Sequence, residues 1–181
     1  MAVIAVVGCA AGGVEELLDG LIRPLVDGGH TVPVVVTPTA ASWLEDLGRD
    51  VLIEQVTGLP VRFSPRLPRE ESPHPPPDVL VGAPMTANST AKLALGLSDN
   101  QALTLMCESL AVKPIIVFPR INAAHARQPA WNDHLGALRS VGVDLVYGDD
   151  VWPLYEPRQA PADRPLPWRH ILTRVDAALE N

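Results

Sequence analysis

Asparagines follow two apolar runs of the sequence, at positions where a buried strand would end. Asn88 stands in the stretch Pro84–Ser89, directly after the run Val79–Ala83. Asn122 follows the run Ile115–Phe118. An asparagine side chain has both a donor and an acceptor, so it can hold a carboxylate without adding charge. Each asparagine alone is also explained as a turn former or a helix cap. Together, at two strand ends, they predict polar contacts to a ligand.

Two further turns carry residues suited to an anion. The loop Gly8–Gly13 consists mainly of small residues and leads into a helical pattern. Small residues let the backbone approach a ligand, and N–H groups at a helix start favour phosphate. The turn Thr37–Ala40 also opens a helix, with Thr39 predicted as its N-cap. For each turn a phosphate contact and a purely structural role remain open.

The elements that position these turns follow from periodicity. Short Val- and Ile-rich runs with little alternation indicate strands buried on both faces, as in a parallel sheet. The predicted strands are Val3–Val7, Val32–Val36, Val79–Ala83, Ile115–Phe118 and Val143–Tyr147. The predicted helices are Val14–Val26, Ala40–Leu47, Asn88–Leu97, Asp99–Leu110, Asn132–Val141 and Trp168–Leu179. This alternation predicts an α/β fold with a doubly wound parallel sheet, whose ligands bind at the carboxyl ends of the strands.

Prolines interrupt the pattern in three places. Pro24 should distort the last turn of the first helix. The segment Ser64–Pro77 has neither helical nor strand periodicity, and its prolines predict an extended surface loop. Trp152–Pro167 is similar. We expect one domain over residues 1–181, with the proline-rich loop 64–77 and a C-terminal tail 152–181.

Composition excludes several classes of function. The net charge is −7 over 181 residues, without a basic run, which argues against nucleic-acid binding. No apolar stretch approaches the ~18 residues of a membrane span. The first residues lack the basic region of a secretory signal. Cys9 and Cys107 form neither a disulfide framework nor a metal motif. We therefore expect a cytoplasmic protein with no membrane partner and no metal site.

Four turns in chain order resemble those of the homo-oligomeric flavin-containing cysteine decarboxylases. Gly8–Ala11 matches the pattern Gly-Ser-x-Ala with Cys9 in place of the serine. Thr37–Trp43 matches Thr-x-Ser-Ala-x-x-Phe, and Pro84–Ser89 matches Pro-Ala-Ser-Ala-Asn-Thr. Pro119–Pro129 matches Pro-x-Met-Asn-x-x-Met-Trp-x-x-Pro in part. The family's Lys, Gly and Asp-Asn are also present, as Lys92, Gly96, Asp99 and Asn100.

This resemblance implies a Rossmann-like sheet, assembled as a trimer or dodecamer, with FMN at a subunit interface. It implies that Asn122 is directed toward a substrate carboxylate. The implied reaction is oxidative decarboxylation of a cysteine-containing small molecule or peptide C-terminus, with FMN supplying the redox chemistry. The residues that the resemblance implies as FMN contacts are Gly8, Cys9, Ala10, Thr37, Thr39, Pro84, Thr86, Ala87, Asn88 and Ser98.

Two features depart from the family pattern. The family has a histidine some eight residues before the acidic start of the third strand, where this chain has Glu70 before Asp78; His74 is the nearest histidine. The Met-Trp pair of the fourth turn is replaced by His125-Ala126. His74 and His125 are candidates for proton transfer, and each is alternatively a solvated loop residue. An FMN-dependent oxidoreductase with another substrate, or a flavin-binding subunit without turnover, remains an alternative function.

Two other residues keep open interpretations. Arg120 follows the fourth strand and could meet an acidic substrate or a neighbouring subunit. A thiolate at Cys9 would be stabilised near a helix start, which suits a redox role. The alternative for Cys9 is a small residue that replaces serine beside the phosphate. Cys107 falls in an apolar helical pattern and is predicted to lie in the core.

Overall fold

The computed structural model describes residues 1–159 and 164–180. Its sheet has five strands: Ile4–Gly8 (β1), Val34–Val36 (β2), Val79–Met85 (β3), Ile115–Pro119 (β4) and Asp144–Leu145 (β5). All neighbouring pairs are parallel, in the order β2-β1-β3-β4-β5. The predicted Rossmann-like doubly wound parallel sheet is therefore confirmed. The strand bounds differ from the predicted ones mainly at β2, which begins two residues later, at β3, which runs two residues further, and at β5, which is shorter.

Burial explains the near-continuous apolar runs. Every residue of β1 to β4 is buried, whereas β5, at the edge of the sheet, is half-buried. Within β1, Ile4 and Val6 pack into one apolar cluster. Ala5 and Val7 pack into a second cluster on the other face. Strands covered on both faces need apolar side chains at every position, which removes the alternation seen in half-exposed strands.

The helical segment after β1 is not the uniform helix predicted for Val14–Val26. It begins as a 3-10 turn at Val14–Glu16, continues as a π-helical turn at Leu18–Ile22 and ends as an α-helix at Arg23–Asp27 (α1). Pro24 lies in the first turn of α1. Proline cannot donate to the carbonyl four residues earlier, and its ring clashes with that carbonyl. The distortion therefore lies one turn before Pro24, whereas we expected it in the last turn of the helix.

Seven more helices complete the described chain. The predicted helices recur with shifted bounds, and Trp168–Leu179 keeps its predicted bounds. Two helices were not predicted: α3, in which only Ile53 is buried, and the single turn α6. The helices are Pro38–Asp46 (α2), Arg49–Thr57 (α3), Ala87–Ala94 (α4), Gln101–Ser109 (α5), Ala123–Ala126 (α6), Trp131–Ser140 (α7) and Trp168–Leu179 (α8).

The proline-rich loop 64–77 contains no helix and no strand, as predicted, and residues 64–73 are exposed. In the predicted tail 152–181, residues 160–163 and 181 lie outside the described residues. None of the helices within the described ranges is both long and apolar enough to cross a membrane.

Gly20 provides a test of the packing between the π-helical turn and α8. A Cβ added at Gly20 would lie 2.5 Å from ring atoms of Trp168. The Trp168 indole is held in place, because its Nε1 donates a hydrogen bond of 3.1 Å to Glu16. We expect Gly20→Ala to lower the free energy of unfolding by about 1–3 kcal/mol, measured by urea denaturation.

The matched control is Gly136→Ala in the interior of α7. A Cβ added there meets nothing within 4 Å. Alanine in a helix interior is about 0.5–1 kcal/mol more favourable than glycine, so this variant should be more stable than the wild type. Equal stabilisation by both substitutions would show that Trp168 does not press on Gly20.

Candidate functional site

A cleft of about 450 Å³ opens at the carboxyl ends of β1, β2 and β3. This volume is typical of a site for a small molecule or cofactor. Its polar lining consists of hydroxyl and amide side chains, the thiol of Cys9 and one oppositely charged pair. The lining residues are Cys9, Ala10, Thr37, Pro38, Thr39, Thr86, Asn88, Ser89, Lys92, Asp99 and Asn100.

Main-chain hydrogen bonds join the three turns that form the cleft. The Cys9 N–H donates to the carbonyl of Pro84 at 3.0 Å, which connects the turns after β1 and β3. The Thr37 N–H donates to the carbonyl of Gly8 at 3.0 Å, which connects the turns after β1 and β2. A Cβ on Gly8 would lie 3.2 Å from Leu17 and 3.3 Å from Val36. Gly8 is therefore needed for close packing behind the cleft.

One of the hydroxyl groups in the turn after β3 caps a helix. Thr86 is the N-cap of α4, since its Oγ1 accepts a hydrogen bond of 3.1 Å from the Ser89 N–H. The same hydroxyl donates to Ser89 Oγ at 3.1 Å. Asn88, which the sequence allowed as a helix cap, does not cap α4. Because Thr86 caps the helix, Asn88 keeps an exposed side chain that lines the cleft.

The turn after β2 corrects a second prediction. Thr37 occupies the N-cap position of α2, with extended backbone, and Pro38 begins the helix. Thr39, the predicted cap, lies inside the first turn, because proline with its fixed φ is well suited to the first helical position. No side-chain capping bond forms at this helix start. The Thr39 hydroxyl is therefore at the cleft without a capping role.

An ion pair stands at the wall between α4 and α5. The ammonium of Lys92 contacts the carboxylate of Asp99. The hydrogen bond from Lys92 holds the pKa of Asp99 below its usual value. Asn100 caps α5 by accepting a hydrogen bond of 3.1 Å from the Leu103 N–H. The pair thus brings an ammonium and a carboxylate together at the cleft, and Asn100 is held in a fixed orientation.

Cys9 is buried at the base of the cleft, with 1% of its surface exposed. Burial raises the pKa of its thiol, although hydrogen bonds with Ser89 and Thr86 act in the opposite direction. A raised pKa favours the neutral thiol, which is a poor nucleophile. The structure therefore favours a packing role for Cys9 over a redox role.

Asn122 and His125 lie together in the turn after β4. Asn122 caps α6, since its Oδ1 accepts a hydrogen bond of 3.1 Å from the His125 N–H. Asn122 is half-buried and His125 is exposed. Met85 at the end of β3 pairs with Pro119 at the end of β4. Asn88 lies three residues after Met85 and Asn122 three residues after Pro119, so the two asparagines lie at neighbouring strand ends. Neither Asn122 nor His125 is part of the cleft lining described above.

His74 lies in a different place from the other candidates. It lines a second pocket, of about 270 Å³, together with Arg62, Arg66 and Glu108. Its Nε2 is 2.7 Å from the carbonyl oxygen of Pro60. Burial, the largest effect, lowers the pKa of His74. The hydrogen bond with the Pro60 carbonyl acts in the opposite direction, and the positive charge of Arg62 lowers the pKa further. Within one chain, the structure does not bring His74 to the cleft or to Asn122.

The cleft thus gathers most, though not all, of the residues suggested as FMN contacts. Six of them line it: Cys9, Ala10, Thr37, Thr39, Thr86 and Asn88. Gly8 and Pro84 are buried behind it, Ala87 is half-buried at the start of α4, and Ser98 is exposed and outside the lining. Their contact with FMN stays a prediction.

Sequence reasoning left Pro38, Ser89, Lys92, Asp99 and Asn100 out of the site. Three of these had a usable signal, because Lys92, Asp99 and Asn100 all match positions of the family pattern. Ser89 offered less, since a serine near a helix start is usually explained by capping alone.

The pKa of His74 can be tested directly. We expect its imidazole to titrate with a midpoint below 6.5 in NMR spectra, because burial and Arg62, which disfavour the charged ring, together outweigh the hydrogen bond to Pro60. Its proton is therefore lost at lower pH than from an exposed histidine. Arg62→Gln should raise the midpoint, whereas Arg139→Gln, on the exposed side of α7, should leave it unchanged. A wild-type midpoint above 6.5 would refute this environment for His74.

Comparison with solved structures confirms the fold. The FMN-dependent cysteine decarboxylase TvaF from thioviridamide biosynthesis superposes with a TM-score of 0.70 and 22% identity, over 99% of this chain and 97% of that one. A PPC decarboxylase mutant complexed with pantothenoylaminoethenethiol gives a TM-score of 0.69 and 21% identity, over 99% of both chains.

Curated relatives agree with this placement. Phosphopantothenoylcysteine decarboxylase of Arabidopsis thaliana is 36% identical over 69 residues, which are 38% of this chain and 33% of that protein. The coenzyme A biosynthesis bifunctional protein CoaBC of Escherichia coli (strain K12) is 28% identical over 151 residues, 80% of this chain and 36% of that protein. The chain spans about a third of the length of these relatives. The family model described as Flavoprotein matches residues 4–163, and the chain therefore belongs to the Flavoprotein family.

Proposed function

We propose that this protein binds FMN and catalyses the oxidative decarboxylation of a cysteine-containing small molecule or peptide C-terminus. The observation that carries the proposal is the cleft in which three strand ends of a Flavoprotein-family sheet present hydroxyl, amide and ammonium groups. Similar solved structures are named as FMN-dependent cysteine decarboxylases, and this supports the choice of reaction.

The lining of the cleft fits a flavin nucleotide. Thr39 and Ser89 provide hydroxyl donors, and the ammonium of Lys92, which also contacts Asp99, has further N–H donors; together these suit a phosphate. Small residues at Ala10 and Cys9 leave the floor of the cleft open to a planar or chain-like group. Bound FMN would supply the redox chemistry by accepting two electrons from the cysteine side chain.

Asn122 is suited to orient the substrate carboxylate. Its Oδ1 accepts the His125 N–H, so the Nδ2 amide is left as a donor at the carboxyl end of β4. An amide donor can hold a carboxylate, and it stabilises the carboxylate less than a full positive charge would. Asn88, at the neighbouring strand end, has an exposed side chain that can contact the cofactor or the substrate.

Two histidines remain candidates for proton transfer. His125 is exposed in the same turn as Asn122. His74 lies at the second pocket, and it could act only on the cleft of another subunit. The alternatives, an FMN-dependent oxidoreductase with another substrate or a non-catalytic flavin-binding subunit, rest on the absence of the family histidine and of the Met-Trp pair.

We also propose a homo-oligomer, a trimer or dodecamer as in the family that the sequence resembles, working in the cytoplasm. Large apolar side chains are exposed at Trp43 on α2, at Leu47 just after it and at Val51 on α3. Phe63 is also exposed, and it lines a pocket with residues of both helices. Such a patch supports an interface between subunits. Both cysteines are free, which agrees with a reducing compartment.

Mass spectrometry of cysteine-ended compounds tests the reaction. Incubation of the FMN-loaded protein with a panel of cysteine-ended peptides and N-acylcysteines should remove about 46 mass units from the substrate, the mass of CO2 plus two hydrogens. Loss of about two mass units alone would favour the oxidoreductase. An unchanged panel with FMN bound would favour the non-catalytic subunit.

The role of Asn122 is tested by Asn122→Ala, with Asn132→Ala in the exposed start of α7 as control. Loss of a hydrogen bond to a charged group should lower kcat/KM by about 10- to 150-fold while FMN affinity is retained. The control should keep wild-type rates. Full activity in Asn122→Ala would remove this residue from substrate binding.

A further inference from the structure

Three buried N–H groups without a hydrogen-bond partner lie together at the carboxyl end of β4. They are Nε of Arg120, Nε1 of Trp152 and Nε of Arg164. Within residues 1–159 and 164–180, only one other buried side-chain nitrogen or oxygen lacks a partner, on His30. Buried polar groups are almost always paired. Because all three atoms are donors, the group missing from this cluster is an acceptor.

The two guanidinium groups are held against one indole ring. The guanidinium carbon of Arg120 lies 4.7 Å from the Trp152 ring centroid, and that of Arg164 lies 3.6 Å from it. Trp152 is only 4% exposed, and its ring meets Phe118 of β4 edge-on at 5.9 Å. Stacking uses the flat faces of the guanidinium groups and leaves their N–H edges available.

No negative charge balances this pair in the part of the chain that the structure describes. All the ion pairs found there involve other residues. Arg120 donates instead to the hydroxyl of Tyr155, and Arg164 donates to the carbonyl of Pro153 at 2.8 Å. Two like charges at one ring, with neutral partners only, favour an anion as the missing acceptor.

The cluster adjoins the turn that carries Asn122. The Arg120 N–H donates to the carbonyl of Met85 at 2.8 Å, which places it between the ends of β3 and β4. The Ala123 N–H donates to the carbonyl of Tyr155 at 2.8 Å. A Cβ added at Gly12 would lie 3.7 Å from Nη2 of Arg120, so the guanidinium also reaches the loop after β1. An anion here would lie close to a substrate bound at Asn122.

We propose that Arg120, Trp152 and Arg164 bind an oxyanion of the substrate, a carboxylate or a phosphate, that is distinct from the reacting carboxylate. For the identity of that substrate the inference rests on the proposed function. Two cations would stabilise the reacting carboxylate as an anion, and they would oppose its departure as neutral CO2, because its charge is lost in the transition state. The arginines therefore select cysteine compounds that carry a second acidic group.

Calorimetric titration with matched compounds tests this site. One pair is N-succinylcysteine and its terminal amide; the other is an N-(phosphonooxyacyl)cysteine and the corresponding hydroxyacyl compound, each pair with spacers of increasing length. Titrations are made with and without added FMN. The charged member of at least one pair should bind the wild type about tenfold tighter or more. The pair that shows the preference distinguishes carboxylate from phosphate.

Variants assign the preference to the cluster. Arg120→Met and Arg164→Met should each bring the charged-to-neutral affinity ratio close to one. Arg139→Met, an exposed arginine of α7, should keep the wild-type ratio. Circular dichroism checks that each variant is folded, and either arginine variant suffices if the other does not fold.

Equal affinity for charged and neutral members in the wild type, or binding of no compound, would overturn the inference whatever the variants do. A preference that persists in both arginine variants would overturn it as well. Mass spectrometry of the same samples separates this inference from the proposed function. A charge preference without decarboxylation refutes only the reaction, and decarboxylation without a charge preference refutes only the oxyanion site.

Discussion

The hydrogen bond between the Cys9 N–H and the Pro84 carbonyl joins the two strand ends on which the cleft depends. The strand order places β2 and β3 on opposite sides of β1. The chain after β1 packs on one face of the sheet, whereas α4, after β3, packs on the other. Two connections that leave toward opposite faces open a crevice between them at the carboxyl edge. The turn after β2 joins this pair through Thr37 and Gly8.

The turns around this crevice use some polar side chains as helix caps and leave others free. Thr86 and Asn100 cap α4 and α5, each by accepting one backbone N–H, from Ser89 and from Leu103. Asn88, Thr39 and Lys92 then present polar groups to the cleft. On the other side of the Asn122 turn, a second group of donors has no acceptor in the described chain. The carboxyl edge of the sheet thus carries the polar cleft, the neutral amide of Asn122 and this group of unpaired donors.

The sheet was predictable because its strands are covered on both faces, which leaves a local signal of unbroken Val and Ile runs. Helix α3 was missed because only Ile53 is buried in it, so it has no apolar stripe. Pro24 was predicted to distort its helix. The distortion lies in the preceding turn, because that turn contains the carbonyl to which a residue at this position would otherwise donate.

Site residues could be predicted where a short sequence pattern indicates both their position and their role. The strand-end residues between Cys9 and Asn88 were predicted from the chemistry of their turns and from the resemblance to the family. The capping roles were misassigned at both Thr37 and Thr86, since neighbouring hydroxyls compete for one helix start. The cluster of Arg120, Trp152 and Arg164 has no local signal, because its members meet only after the chain returns across the edge of the sheet. His74 could not be placed from spacing, as a proline-rich loop follows no period.

Titration of FMN and riboflavin into the purified protein, followed by flavin fluorescence, tests most directly whether the cleft holds FMN by its phosphate. Saturable FMN binding is expected, with riboflavin weaker by about tenfold or more because it lacks the phosphate. Thr39→Glu, which places a negative charge at the cleft, should weaken FMN binding more than riboflavin binding. Equal affinity for the two flavins, or no saturable binding of FMN, would contradict this assignment of the cleft.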